Sequence, residues 1–211
     1  MLPIDDPLLS SPHRLFQSPS DVSRNGHIHN PKDASNNEME KTITTRLLHK
    51  GRSLSFKTDE VELPSGKKTT RDIIDHPGAV AIVPVLDDGR ILLVRQYRYA
   101  TGKELLEIPA GTLEKGETPD TCARRELKEE TGYTAGSMKK MISMYMAPGY
   151  SNEVIHLYLA TELKAGEQGT EEDESIILEP YGPDELLGMM EKNVIEDAKT
   201  IAGVLSYLTR G

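Results

Sequence analysis

The feature that most constrains this chain is a 23-residue segment that starts at Gly111 and runs from a glycine-containing loop into an acidic helix. Glu126, Glu129 and Glu130 stand at i, i+3 and i+4, so their carboxylates share one helix face. Like charges at this spacing cost about 0.2–0.5 kcal/mol per pair, and a solvated helix face tolerates that cost. The loop sharpens the signal, because Gly111 and Gly116 allow a tight turn whose carbonyls can join the carboxylates around a hard divalent cation.

The whole segment fits the pattern G-x5-E-x7-R-E-U-x-E-E-x-G-U, where U is a bulky apolar residue, and it therefore resembles the Nudix hydrolases. Every fixed position matches, and the one soft point is Tyr133, an aromatic residue where an aliphatic one is usual. The resemblance implies a Nudix fold of the α+β class, an α/β/α sandwich with a mixed central β-sheet between helices. An N-terminal region of antiparallel strands is expected to precede it.

The resemblance also implies roles for individual residues. The cofactor would be Mg²⁺, for which Mn²⁺ could substitute, with Ala110, Glu126, Glu129, Glu130 and Glu174 as ligands. Glu129 is also expected to take part in catalysis. Glu117 and Arg125 would form an ion pair that braces the loop against the helix, with Gly111 and Gly132 as structural glycines.

Flanking segments narrow the resemblance. Residues 76–84, 93–98 and 106–111 are similar to bacterial and archaeal ADP-ribose pyrophosphatases, and Pro148 stands where that subfamily carries a marker proline. The expected reaction is Mg²⁺-dependent hydrolysis of the diphosphate bond of ADP-ribose to AMP and ribose 5-phosphate. A diphosphatase for GDP-mannose or UDP-glucose is the alternative. A ligand-sensing, non-catalytic Nudix module is disfavoured, because this chain keeps every carboxylate of the pattern.

Four residues are expected to bind substrate. Arg98 follows a predicted buried strand, where its guanidinium could hold a diphosphate oxygen; a surface salt bridge is the alternative. Arg71 matches a position that in relatives stacks on the adenine of the partner subunit's ligand. Its aromatic companion there corresponds to Leu54 or Phe56, between which the sequence does not choose. Ser151 and Glu153 would contact the terminal ribose or a ligand-bound water, or form an ordinary loop-to-strand junction.

The general base is sought in the acidic loop 169–175. By resemblance to the loop that closes over the diphosphate in ADP-ribose pyrophosphatases, Glu172 would be the base and Glu174 the metal ligand. An alignment slip of one residue would transfer the role of base to Asp173. The sequence therefore does not decide which residue within 171–174 is the general base.

The chain is expected to divide into three parts. Residues 1–38 are rich in Pro, Ser and Asn without an apolar period, which predicts a disordered tail, and translation could start at Met39 instead of Met1. Residues 39–76 predict a strand region that relatives use to form a homodimer, and 77–211 the Nudix domain. Strands are predicted at 41–49, 53–63, 69–75, 79–86, 90–97, 139–146, 153–162 and 176–180, with a helix at 118–131 and helical segments at the end.

Composition excludes other classes. The net charge of −9 argues against nucleic-acid or anionic-membrane partners, and an acidic protein that binds phosphates needs a cation between them. The single cysteine, Cys122, excludes a disulfide framework and is expected to be a small buried residue. No apolar run reaches the length of a membrane span. We therefore expect a cytoplasmic protein with a small-molecule substrate.

Overall fold

The computed structural model describes residues 39–169 and 176–210. The predicted tail, 1–38, lies outside the described residues, as does most of the acidic loop. Within the described part, the strands are β1 (Lys41–Lys50), β2 (Ser55–Glu62), β3 (Lys68–Asp75), β4 (Ala79–Pro84), β5 (Ile91–Arg98), β6 (Lys103–Glu107), β7 (Ala110–Thr112), β8 (Thr134–Tyr145), β9 (Val154–Lys164) and β10 (Ile176–Tyr181). The helices are α1 (Pro119–Thr131), α2 (Pro183–Glu191) and α3 (Ala198–Leu208).

Two sheets form the body of the fold. A four-stranded sheet has the order β7-β4-β9-β8, in which β4 and β9 are parallel and the other neighbours antiparallel. A three-stranded antiparallel sheet has the order β10-β5-β6. Helix α1 and helix α3 pack on opposite faces of β4. The predicted α+β sandwich, with a mixed sheet between helices, is confirmed.

Strand β4 explains why its sequence is apolar without alternation. Ala81 and Val83 face the core that contains α2 and α3, whereas Val80 and Ile82 face the core under α1. All four side chains are fully buried. A central strand covered on both faces needs apolar residues at every position. β4 also pairs with β7, the strand that contains Ala110 and Gly111.

Helix α1 begins and ends where its sequence dictates. The Thr118 hydroxyl caps the first turn by accepting from the Thr121 N–H at 3.3 Å, and Pro119 occupies the first helical position. Gly132 ends the helix with φ of 73°, and its N–H donates to the Lys128 carbonyl at 2.8 Å. The apolar side chains of its buried face are Cys122, Ala123 and Leu127.

The N-terminal strands form a separate antiparallel sheet, β1-β2-β3. Every residue of β1 is exposed, including the apolar side chains of Ile43, Leu47 and Leu48. The sheet joins the remainder of the fold at the end of β3, where the Ile74 N–H donates to the Tyr150 carbonyl at 2.8 Å. An antiparallel N-terminal region was predicted. The apolar side chains that it exposes are not covered by any other segment of the described chain.

Two short strands were not predicted, and the start of β8 differs most from the predicted strand boundaries, most of which agree within two residues. β6 and β7 carry no clear alternation in the sequence, and they form because β5 and β4 offer hydrogen-bonding edges. β8 starts at Thr134 instead of residue 139, because its polar first half pairs with β9 up to Lys164. Among the described residues, no helix is both long enough and apolar enough to cross a membrane.

Candidate active site

A cleft of about 1000 Å³ lies between the loop that follows β7 and the acidic face of α1. Helix α1 contributes Glu126, Glu129 and Glu130 to its wall, and the end of β5 contributes Arg98. Ala110 and Gly111 of β7 line the same cleft beside these glutamates. The structure therefore brings the predicted helical carboxylates, the predicted carbonyl and the predicted arginine into one space.

Gly111 is required by the position of Glu126. A Cβ atom placed on Gly111 would lie 1.9 Å from the carboxylate carbon of Glu126, far inside van der Waals contact. A side chain at position 111 would require the Glu126 carboxylate to move from this position. The loop glycine and the helix glutamate are thus one steric unit.

Glu130 is the most deeply held of the helix carboxylates. It is 5% exposed, and its Oε2 accepts a hydrogen bond from the Ala110 N–H at 3.1 Å. Glu129 stands at the open edge of the cleft, where its side chain is 44% exposed. The helix therefore presents one buried and one accessible carboxylate beside the loop backbone.

Arg125 ties the loop to the helix. Its Nε and Nη2 donate to the two carboxylate oxygens of Glu117 at 3.0 and 2.9 Å, and its Nη1 contacts Glu126 and Glu129 at 2.7 and 2.9 Å. The hydrogen bonds from Arg125 lower the pKa of Glu117 to about 2. The structure thus places the predicted ion pair between the loop and α1.

The donor chemistry of the cleft fits a hard divalent cation. Carboxylate oxygens and a backbone carbonyl are ligands that Mg²⁺ and Mn²⁺ prefer, and Gly111 leaves the space that the Glu126 carboxylate occupies. In residues 39–169 and 176–210, no three acidic, His or Cys side chains form a ready-made cage. The guanidinium of Arg125 neutralises part of the negative charge of Glu126 and Glu129.

Cys122 plays no part in this chemistry. The residue is fully buried under the sheet, and desolvation raises the pKa of its thiol to about 12. A thiol with that pKa stays protonated at neutral pH and is a poor nucleophile. Its predicted role as a small core residue agrees with this position.

Arg98 lies in the cleft wall and also forms an ion pair. Its Nε and Nη2 donate to the carboxylate of Glu107 at 2.8 and 2.7 Å. The predicted alternative, a salt bridge, is therefore present, but its carboxylate is buried instead of lying at the surface. The two interpretations are compatible, because the side chain of Arg98 is still 38% exposed.

The residues expected at the adenine do not line this cleft in the single chain. Arg71, on β3, is exposed and is paired with Glu40 at 2.6 Å. Leu54, which precedes β2, and Phe56, within β2, are 42% and 37% exposed. None of the three contributes to the wall of the cleft.

Ser151 and Glu153 lie where the loop joins β9. The Ser151 hydroxyl accepts from the Glu153 N–H at 3.1 Å, which is the geometry of a loop-to-strand junction. The Glu153 side chain lines a smaller cavity of about 320 Å³ that shares Arg98 and Ala110 with the main cleft. Of this pair, Glu153 is the one that borders the site.

Glu172, Asp173 and Glu174 lie outside the described residues. The loop is described up to Gly169, which borders the cleft and donates its N–H to the Glu129 carbonyl at 3.1 Å. The Gln168 side-chain amide donates to the Glu130 carbonyl at 2.6 Å. The described start of the acidic loop is thus attached to the end of α1.

Sequence reasoning missed several residues around the site. Arg52 and Ser53, in the β1–β2 turn, line the main cleft. Asp197 and Lys199 of the α3 N-terminus line the smaller cavity. Lys199 could have been noticed in the sequence, because it is a charged residue within the apolar pattern of α3. The sequence around Arg52 and Ser53 contains no comparable signal.

An acidic helix face, a glycine loop and an arginine in one cleft of an α+β sandwich are typical of enzymes that bind phosphorylated substrates through a divalent cation. Residues 75–203 match the model of the NUDIX domain. The chain belongs to the Nudix family and is a Nudix hydrolase.

Individual relatives agree with this assignment. The chain is 42% identical over 171 residues to an ADP-ribose pyrophosphatase of Bacillus subtilis, covering 80% of this chain and 92% of that protein. It is 44% identical to a methanol dehydrogenase activator of Bacillus methanolicus, covering 78% and 90%. It is 35% identical to a GDP-mannose pyrophosphatase of Citrobacter koseri, covering 65% and 76%. A solved ADP compounds hydrolase, 21% identical, superposes with a TM-score of 0.72 over 81% of this chain and 92% of that one and supports the fold.

Proposed function

We propose that this protein hydrolyses the diphosphate bond of ADP-ribose to AMP and ribose 5-phosphate with Mg²⁺. The observation that carries the proposal is the cleft itself, in which three glutamates of α1 face the Ala110–Gly111 backbone and Arg98. The similarity to the ADP-ribose pyrophosphatase of Bacillus subtilis supports the choice of substrate. Nudix hydrolases generally use a divalent metal ion.

Each group has a proposed task. Glu126, Glu129, Glu130 and the Ala110 carbonyl would hold the cation, together with Glu174. A bound Mg²⁺ would neutralise the diphosphate and make a water molecule more acidic. Glu172 would accept the proton of the attacking water. Arg98 would hold a diphosphate oxygen through its guanidinium, and Glu153 would border the terminal ribose.

The adenine end of the substrate is proposed to need a second copy of the chain. Arg71 and the Leu54–Phe56 region do not line the cleft of their own chain, and β1 of the same N-terminal sheet exposes apolar side chains. A cytoplasmic homodimer in which these strands reach across the partner would cover the apolar surface. It would also bring Arg71 towards the partner's cleft.

The rival substrate is another nucleotide sugar, because the cation site contacts only the diphosphate. The similarity to a GDP-mannose pyrophosphatase favours this alternative over a binding module. The deciding measurement is initial hydrolysis rates for ADP-ribose, GDP-mannose, UDP-glucose and NADH with Mg²⁺, repeated with Mn²⁺ and with EDTA. We expect the highest kcat/KM with ADP-ribose and no hydrolysis in EDTA. A higher kcat/KM with GDP-mannose, or hydrolysis in EDTA, would contradict the proposal.

A further inference from the structure

Glu107 is a buried carboxylate that the proposed reaction does not use. It is the last residue of β6 and is 1% exposed. Its Oε1 and Oε2 accept from Nε and Nη2 of Arg98 at 2.8 and 2.7 Å. Lys199 of α3 donates to the same Oε2, so one carboxylate holds two cations from two different elements.

The charge state of Glu107 follows from these contacts. Burial alone would raise its pKa, but the hydrogen bonds from Arg98 and the charge of Lys199 lower the pKa below its ordinary value. The carboxylate is therefore ionised at neutral pH. An ionised carboxylate that is buried to this extent depends on both cations for its stability.

Arg98 and Lys199, the two cations that contact Glu107, both line the cavities of the site. Arg98 borders the main cleft and the smaller cavity, and Lys199 borders the smaller one. Lys199 is held in turn by Asp197 at 3.1 Å, and the neighbouring Thr200 hydroxyl accepts from the Ile108 N–H at 2.8 Å. The N-terminus of α3 is thus fastened to the residue that follows Glu107.

A bidentate contact has a geometric consequence for Arg98. A free arginine side chain loses rotamer entropy when it is ordered, and that loss would otherwise fall on substrate binding. Two parallel hydrogen bonds define the plane of the guanidinium before any substrate arrives. Pre-organisation of this kind strengthens binding.

We propose that Glu107 is a positioning residue that acts through Arg98, fixing the guanidinium at the wall of the cleft for an anionic oxygen of the substrate. The inference rests on the proposed function, in which Arg98 contacts the diphosphate. Glu107 itself lines neither cavity. Lys199 neutralises the buried carboxylate from the opposite side, so that Glu107 remains ionised when Arg98 engages the substrate.

The first test is Glu107→Gln, with ADP-ribose and Mg²⁺. Losing a charge-assisted contact should raise KM about 10- to 100-fold, with kcat within about threefold. In an Arg98→Ala background, Glu107→Gln should change KM less than about twofold, because its target is gone. An unchanged KM in the single variant, or a full additional effect in the double variant, would overturn the inference.

Two further variants separate positioning from folding. Arg98→Lys keeps the charge and leaves Glu107 intact but removes the bidentate fork, so KM should rise as in Glu107→Gln; a wild-type KM here would refute the role. The matched control is Glu179→Gln, which breaks an equally bidentate pair with Arg95 of the same strand, outside both cavities. Its KM should stay unchanged. If wild-type protein does not hydrolyse ADP-ribose, the proposed function fails instead.

Discussion

At the residue scale, arginine and lysine side chains neutralise most of the glutamates in and around the cleft. Arg125 contacts three carboxylates, and Arg98 and Lys199 share a fourth, Glu107. Buried or half-buried carboxylates at this density would repel one another without cations. The protein therefore keeps an acidic cleft folded by bracing its walls with arginine and lysine, while Glu129 stays accessible.

Glu130→Gln tests the helix carboxylates. The change removes a charge from the cleft but keeps the shape of the side chain, so kcat should fall at least about 100-fold while the fold stays intact. Steady-state kinetics and a thermal melt measure both effects. Glu191→Gln, an exposed glutamate of α2, is the control and should behave as wild type. Near-normal turnover of Glu130→Gln would contradict the assignment.

The general base is tested in the acidic loop. Glu172→Gln should lower kcat about 10²- to 10⁴-fold and leave KM and Mg²⁺ affinity nearly unchanged, because the residue would act only on the attacking water. Kinetics at saturating Mg²⁺ measure the effect. If Glu172→Gln is active and Asp173→Asn is dead, the alignment of the loop is shifted by one residue.

At the element scale, the segment between β6 and α1 connects the layers. β7 pairs with the central strand β4, the Ile108 N–H is held by Thr200 of α3, and the loop to α1 is held by Arg125. Each connection belongs to a different layer of the sandwich. The position of the cleft backbone therefore depends on all of them.

The loop brace predicts a pH-dependent stability. The pKa of Glu117 in the folded protein is about 2, below its ordinary value of 4.5, so the stabilisation is complete above about pH 4.5 and lost as the pH falls towards 2. Glu117→Gln should lower the free energy of unfolding by about 1–3 kcal/mol at pH 7. In urea titrations at pH 7 and pH 3, the difference from wild type should shrink at pH 3. Glu114→Gln, in the same loop, serves as control; an equal difference at both pH values would count against the brace.

At the scale of the whole molecule, the N-terminal sheet ends in a strand, β1, that is exposed along its full length. All ten residues of β1 are exposed, and the connection to the sandwich lies at the end of β3. Natural proteins seldom leave a long edge strand with apolar side chains uncovered. The homodimer proposal gives this surface a partner.

Light scattering tests the homodimer. We expect twice the mass of the chain, and Leu47→Glu, which places a charge in the exposed apolar surface, should shift the population towards monomers and lower activity. The activity loss should be relieved at higher protein concentration. A wild-type monomer that is fully active at nanomolar concentration would refute the shared site.

The segment 1–38 is predicted to be dispensable. A shortened chain that starts at Met39 should keep its melting temperature and its kcat/KM, because the removed composition lacks the apolar surface needed to offset the entropy of ordering. Thermal melts and kinetics on both chains make the comparison. A clear loss of either property would contradict the predicted boundary.

The sequence by itself determined what depends on local spacing. The acidic face of α1, the end of this helix at Gly132 and the continuous apolar run of β4 follow from patterns within one element. Tertiary structure decided what depends on distant segments: the pairing of β6 and β7, the entry of Arg52 into the cleft, and the approach of Lys199 to Glu107 across 92 positions. No local pattern records such contacts, because their energy comes from surfaces that meet only after the chain has folded.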